Sequence, residues 1–188
     1  MVIAYLDIET YTTGSDPSFN DKVILICYKE SGGSCTMFRE WNSSEKAILK
    51  EFYDFLKNKL ETEKTLMLFG FNTLRFDLPL LACRISFNGI DSATNVLENF
   101  RKIYAIDLRQ CLLPFNKYRF KGLSGDEVAR RFGIEPPKHS NKDIKTFYER
   151  EDYEKIEEHS LSDMRILSDL SWNMRELENI AKAFESEV

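Results

Sequence analysis

The opening run Val2–Ile8 constrains this chain more than any other segment. It reads Val-Ile-Ala-Tyr-Leu-Asp-Ile, apolar at every position but one. A strand with one face in water alternates apolar and polar residues. A nearly continuous apolar run marks a strand covered on both faces. Such a strand belongs inside a sheet, with helices packed above and below it. The following segments supply those neighbours, alternating strand with helix, and the expected fold class is α/β.

Val23–Tyr28 reads as a second strand, after a Thr-, Ser-, Gly- and Asp-rich loop from Tyr11 to Asp21. Ser31-Gly32-Gly33-Ser34 turns the chain into a third strand, Cys35–Phe38. Ser43 or Ser44 can cap a helix that runs to about Leu60, with Ile48, Leu49, Phe52, Phe55 and Leu56 on its apolar face. Thr65–Phe69 is a fourth strand. Asn72 or Thr73 is expected to open the next helix, with Pro79 in its first turn. Ile103–Ile106 is a short fifth strand, completing a mixed five-stranded sheet flanked by helices. Leu123–Phe132 reads as a helix stopped at Gly133, Pro136 to Asn141 as a loop, and about Asp152 to Phe184 as one long final helix.

At 188 residues, with no internal repeat and no Pro/Gly linker, residues 1–188 are expected to form a single domain. No apolar run approaches the roughly 18 to 20 residues of a membrane span, and Val2–Leu6 is too short for a signal-peptide core. A cytoplasmic protein with no membrane association is expected. Cys27, Cys35, Cys83 and Cys111 form no C-x-x-C pair, so free thiols are expected rather than a zinc site; Cys27 and Cys35 flank a hairpin and are the one pair placed for a bridge. The net charge of −5 argues against a broad basic surface that coats duplex DNA. It does not argue against a nuclease, whose acidic site is reversed in sign by bound cations. Arg75, Arg84, Arg101, Lys102, Lys117, Arg119 and Lys121 remain as local basic groups.

Three segments carry chemistry. In Leu6-Asp7-Ile8-Glu9-Thr10, the two acids are two residues apart on a strand and so share a face. Two adjacent carboxylates that lose hydration need neutralising, and a divalent metal does this; the plainer alternative is a solvated strand end. In Phe69 to Pro79, Asp77 lies past a strand near a helix start. A carboxylate there suits the helix dipole without further purpose, but Gly70, Asn72 and aromatic rings beside it are parts a nucleotide site needs. In the final helix, the stripe Tyr153, Ile156, Ser160, Asp163, Leu167, Leu170, Met174, Leu177, Ala181 and Phe184 places Asp163 where an apolar residue is expected. A carboxylate on a packed face needs a partner, and a metal would be one. His159 is one turn earlier on the same side; alone, it reads equally as a hydrogen-bonded helix histidine. The stripe itself reads as packing against the sheet, or in its C-terminal half as a docking face for a partner helix.

Together, Asp7-x-Glu9, Asn72-x-x-x-Phe76-Asp77-x-Pro79 and an acid on a late helix resemble the three exonuclease motifs of the DEDD (DnaQ-like) 3′→5′ exonuclease family. The wording around Gly70–Leu81 and His159–Leu167 is closest to the proofreading exonuclease domain of B-family DNA polymerases. The resemblance spans Ile3 to about Leu170, without a polymerase part, and implies an RNase H-like fold acting as a free-standing nuclease or as a subunit in trans. It implies that Asp7, Glu9, Asp77 and Asp163 hold two divalent cations, Mg²⁺ or Mn²⁺, about 3.5 to 4 Å apart, a pair of hard ions that all-oxygen ligands suit. Thr10 and Asn72 would face the terminal nucleotide, and Phe71 or Phe76 would stack on a base, Phe76 being equally readable as core. Lys117, Arg119 and Lys121 would follow the phosphate backbone or form a solvated loop. Asp107 fits the strand between the second and third motifs and reads as a supporting residue rather than a ligand.

One position departs from the family. Its general base is a Tyr four residues before the last Asp, or a His five before it. This chain has His159 at the four-residue station and Glu158 at the five, about 100° apart on a helix. His159 is taken as the base, with an ordinary histidine pKa of about 6.5 suited to proton transfer at neutral pH. His139 is assigned no role. The expected activity is release of nucleoside monophosphates from a DNA 3′ end, single strands preferred, with a polymerase or repair enzyme as partner. The alternatives are an exoribonuclease acting on short RNA, a non-catalytic module binding 3′ ends or a replication partner, and an endonuclease of the wider RNase H-like group.

Overall fold

A computed structural model describes residues 1–14 and 18–185. Its sheet contains five strands: β1 (Val2–Tyr11), β2 (Lys22–Glu30), β3 (Cys35–Arg39), β4 (Leu66–Gly70) and β5 (Tyr104–Asp107). The order is β3-β2-β1-β4-β5. The apolar run is thus the central strand, antiparallel to β2 and parallel to β4. Side chains alternate across it. Ala4, Leu6 and Ile8 join one core cluster, which also holds apolar residues of α1 (Glu45–Thr62), α2 (Asp77–Phe87) and α3 (Ala93–Phe100). Tyr5 joins a second cluster, beneath α5 (Gly125–Arg131) and α7 (Tyr153–Asn173), where its hydroxyl meets Ser171 Oγ at 3.0 Å. Asp7 and Glu9 fall on that second face by the same alternation. Opposite them the β2 register steps from Leu25 to Val23 between Glu9 and Thr10, an irregularity that re-aims side chains at the strand end.

The structure adjusts several sequence expectations. The helix expected from Asn72 or Thr73 begins at Asp77, because Asn72 takes a left-handed backbone (φ 67°) that belongs to a turn. The long final helix breaks. α7 ends at Asn173, whose side chain bonds back to the Asp169 carbonyl at 2.8 Å, and α8 (Leu177–Glu185) follows after a turn. Leu177 consequently leaves the stripe and is exposed, while Ile180 is buried. α3, the short α4 (Leu108–Cys111) and α6 (Asn141–Glu149) were not anticipated. The four cysteines are free thiols, with Cys35 opposite Lys29 rather than Cys27. No helix among the described residues is long and apolar enough to cross a membrane.

Candidate active site

The C-terminal end of β1 and the middle of α7 meet at four acids and one imidazole. Glu9 is buried on β1, and Asp77 is buried in the first turn of α2. From α7, His159 points its Nε2 to within 3.3 Å of Asp163 Oδ2 and 3.8 Å of Glu9 Oε1. Asp7 Oδ2 receives a long contact from Ser160 Oγ, 3.5 Å, and the backbone at Ile8 also bonds the Asp7 carboxylate. Glu9 Oε1 is buried without a hydrogen bond. Among the described residues, no Lys or Arg pairs with any of the four acids.

Burial followed by mutual repulsion sets their ionisation. Asp7 is held well above the usual carboxylate range by desolvation and then by the charge of Asp77. Glu9 is raised by desolvation, then by Asp7, Asp163 and Asp77. Asp163 is pushed up to about 8 by desolvation and Asp7, and Asp77 to about 7, chiefly by desolvation. A cluster that is this reluctant to ionise, with one oxygen left without a partner, has the chemistry of a cation site: positive charge would permit all four to ionise. Donor atoms of Glu9, His159 and Asp163 already lie within 4.8 Å of one another. The residues therefore fit divalent cations.

The loop between β4 and α2 is held by close packing and by one carboxylate. A Cβ at Gly70 would lie 2.5 Å from Thr73 Cβ, so only glycine permits the chain to fold over at that point. Asp107, at the end of β5, accepts from the backbone N–H groups of Asn72 (3.0 Å) and Leu74 (3.1 Å) and caps α4 through those of Arg109 and Gln110. It supports the loop that carries Asp77.

His159 is less simple than the sequence suggests. Its Nε2 faces Asn141 Oδ1 at 2.9 Å as well as the two carboxylates. Nε2 thus has Asn141 and Asp163 within hydrogen-bond reach, and Nδ1 is buried. The ordinary pKa expected for His159 is corrected as well: burial lowers it.

Comparison with known proteins places this arrangement. The RNase_H superfamily pattern matches residues 4–175. The chain belongs to the RNase_H superfamily. No curated protein matches the sequence. Among solved structures, the fold resembles that of the family B DNA polymerase from the hyperthermophilic archaeon Pyrobaculum calidifontis, with a TM-score of 0.68 and 18% identity over 93% of this chain. The chain spans only 24% of that polymerase. The resemblance to a DnaQ-like domain of the B-family polymerase type agrees with both findings, and superfamily and fold together support a nuclease kind of function.

The RNase H-superfamily site opens into a cleft of two adjoining lobes, about 520 and 400 Å³, each within the range of small-ligand sites. Thr10, Phe71, Asn72 and Phe76 all line it. Phe76 is half-buried and stacks on Phe19, 6.4 Å between ring centroids. Of the basic residues singled out in the sequence, Arg84 is bound to Glu45, while Lys117, Arg119 and Lys121 are exposed on a turn in which Lys117 and Tyr118 both take positive φ. Two site residues escaped the sequence reading. Asn141 opens α6, and the capping box Ser140-x-x-Asp143 before it is a signal that marks this helix start. Arg109, which donates to Asn72 Oδ1 at 3.2 Å, carries no sequence signal of its own.

Proposed function

We propose that this chain is a divalent-metal-dependent 3′→5′ exonuclease that releases nucleoside monophosphates from the 3′ end of single-stranded DNA, and that residues 1–188 are one exonuclease domain. The observation that carries this reading is the convergence of four acids, unpaired with any Lys or Arg among the described residues, and a buried histidine at one end of the central strand, in the RNase H-like fold. Asp7, Glu9, Asp77 and Asp163 would hold two cations, Mg²⁺ or Mn²⁺. Bound there, such ions supply an activated water and stabilise the leaving 3′ oxygen. The acids fix where the scissile phosphate sits. Asn72 and Thr10 contact the terminal nucleotide, and Phe71 and Phe76 offer faces for its base.

His159 accepts the proton of the attacking water on Nε2. That nitrogen faces Asn141 Oδ1 at 2.9 Å, Asp163 Oδ2 at 3.3 Å and Glu9 Oε1 at 3.8 Å. Glu9 and Asp163 would hold the cations, and with those carboxylates so engaged the tautomer with hydrogen on Nδ1 would leave Nε2 to act as the base. A polymerase or a repair enzyme is the class of partner that such an activity serves.

The deciding experiment incubates the chain with a 5′-labelled single-stranded DNA oligomer and Mg²⁺ or Mn²⁺, beside Asp77→Asn. A ladder shortening from the 3′ end, abolished by EDTA and by the substitution, is expected. A stronger ladder on RNA would reassign the chain as an exoribonuclease. Cutting of circular single strands would make it an endonuclease, and no cleavage of either polymer would leave a 3′-end or partner-binding module.

A further inference from the structure

Resting on the exonuclease reading, we infer that Arg75 and Arg109, held together on the ring of Phe120, form a subsite for one internucleotide phosphate of the strand that lies in the cleft.

The two guanidinium groups converge on one aromatic side chain. Arg75 Cζ is 4.3 Å and Arg109 Cζ 5.1 Å from the Phe120 centroid. Two cations sharing a ring repel each other, and neither makes an ion pair with a carboxylate among the described residues. The nearby acid Asp107 is already engaged by four backbone N–H groups and by Gln110 Nε2. Arg109 bonds only neutral oxygens, Asn72 Oδ1 and the Phe120 carbonyl, and its Nε is buried with no partner. In a chain of net charge −5, two arginines that share one ring and form no direct ion pair, with only the more distant charges of Asp107 and Glu127 acting on Arg109, leave donors for an anion.

Location identifies that anion. Arg109 lines the same cleft lobe as Asp7, Glu9, Asp77 and Asn72. A strand whose terminal nucleotide rests against Asn72 therefore runs beside the guanidinium pair. Planar guanidinium donors match the geometry of a phosphodiester, where a lysine would act only as a point charge. The contact to Asn72 has a second effect. Arg109 can only donate, so it holds the Asn72 amide with Oδ1 turned inward and leaves Nδ2 to donate elsewhere. Asn72 thus offers hydrogen to an acceptor on the nucleotide.

The test is a methylphosphonate walk. Oligothymidylates carry one uncharged linkage at successive positions upstream of the scissile bond, and kcat/KM is measured for the unaltered chain, Arg75→Gln, Arg109→Lys and the double glutamine variant. The unaltered chain is expected to lose about tenfold at one particular linkage. The double variant should lose a similar factor on unmodified DNA, mainly in KM, and be indifferent to the charge at that linkage. The slope of log(kcat/KM) against log[salt] should fall by roughly 0.7 per arginine removed. Arg75→Gln keeps the result interpretable should the half-buried Arg109 disturb folding, and Arg109→Lys should retain part of the sensitivity. Unchanged methylphosphonate sensitivity and salt slope in an active double variant would overturn this subsite alone. Failure of the unaltered chain to cleave or bind any single strand would overturn it together with the exonuclease reading.

Discussion

Glu9 and Glu45 are the same residue type at nearly the same burial, 6% and 8% exposed, yet their surroundings are opposite. Glu45 accepts from the Val23 N–H at 2.9 Å, from Arg84 Nε and Nη2, and from Asn88. Each oxygen has a donor, and the charge is matched. Glu9 faces three other acids and a histidine, and its Oε1 has no hydrogen bond. A buried carboxylate costs free energy unless it is paired and hydrogen-bonded. The fold meets that requirement at the α1–α2 contact and leaves it unmet at the end of β1. The difference separates a charge that serves stability from a set of charges whose surroundings fit a cation.

The largest expected effect breaks the unmet side. Asp163→Asn or Asp77→Asn should lower 3′-end cleavage by about 10³-fold, since a metal centre contributes several kcal/mol to the transition state and each 1.36 kcal/mol is tenfold. Single-turnover cleavage of a labelled oligomer measures it. Residual activity within tenfold of the unaltered chain would remove that acid from the site. On the matched side, Glu45→Gln should act on stability instead. It strands the Arg84 charge and is expected to cost about 3 kcal/mol, lowering the melting temperature by roughly 6 °C or more while the folded fraction still cleaves. Calorimetric unfolding checks this.

A somewhat smaller effect is expected at His159. His159→Gln should reduce kcat about 10²-fold and remove the histidine-dependent fall of activity on the acid side. Burial places that limb below the ordinary histidine value of about 6.5. A pH–rate profile at saturating Mn²⁺ isolates it from the carboxylates, whose protons compete with the cation. An unchanged profile in His159→Gln would exclude the base role.

The smallest predicted effect concerns the metal-free protein. An acid with a folded-state pKa above its unfolded value holds its proton more tightly when folded. There is no penalty below about pH 4, the unfolded carboxylate range. A penalty to the folded state then grows as pH rises through about 7 for Asp77 and about 8 for Asp163. In EDTA the melting temperature should therefore fall between pH 5 and pH 8, and Asp163→Asn should flatten that fall and melt at least about 3 °C higher at pH 8. A parent chain with equal stability across this range would show that the acids are not strained.

The sheet and the acids were legible in the sequence because the signals are short-range. The apolar run in β1 marks a covered strand, and two-residue spacing puts Asp7 and Glu9 on one face. Helical periodicity put His159 and Asp163 one turn apart on α7. What escaped depends on tertiary contacts. The left-handed turn at Asn72 is held by Asp107, 35 residues away, and the break after Asn173 has no glycine or proline to announce it. Arg109 reaches the cleft only because α4 follows β5 directly. His159 meets Asn141 on a helix whose start the sequence expectation places in a loop.

The most direct test of the central claim is titration calorimetry of Mn²⁺ into the metal-free chain at pH 7, repeated in two buffers of different ionisation enthalpy and on Asp163→Asn and Glu45→Gln. Saturable binding that releases protons, is lost in Asp163→Asn and persists in folded Glu45→Gln is the predicted result. Binding with no proton release, or binding unaffected by Asp163→Asn, would contradict the assignment of the unpaired acids as a cation site.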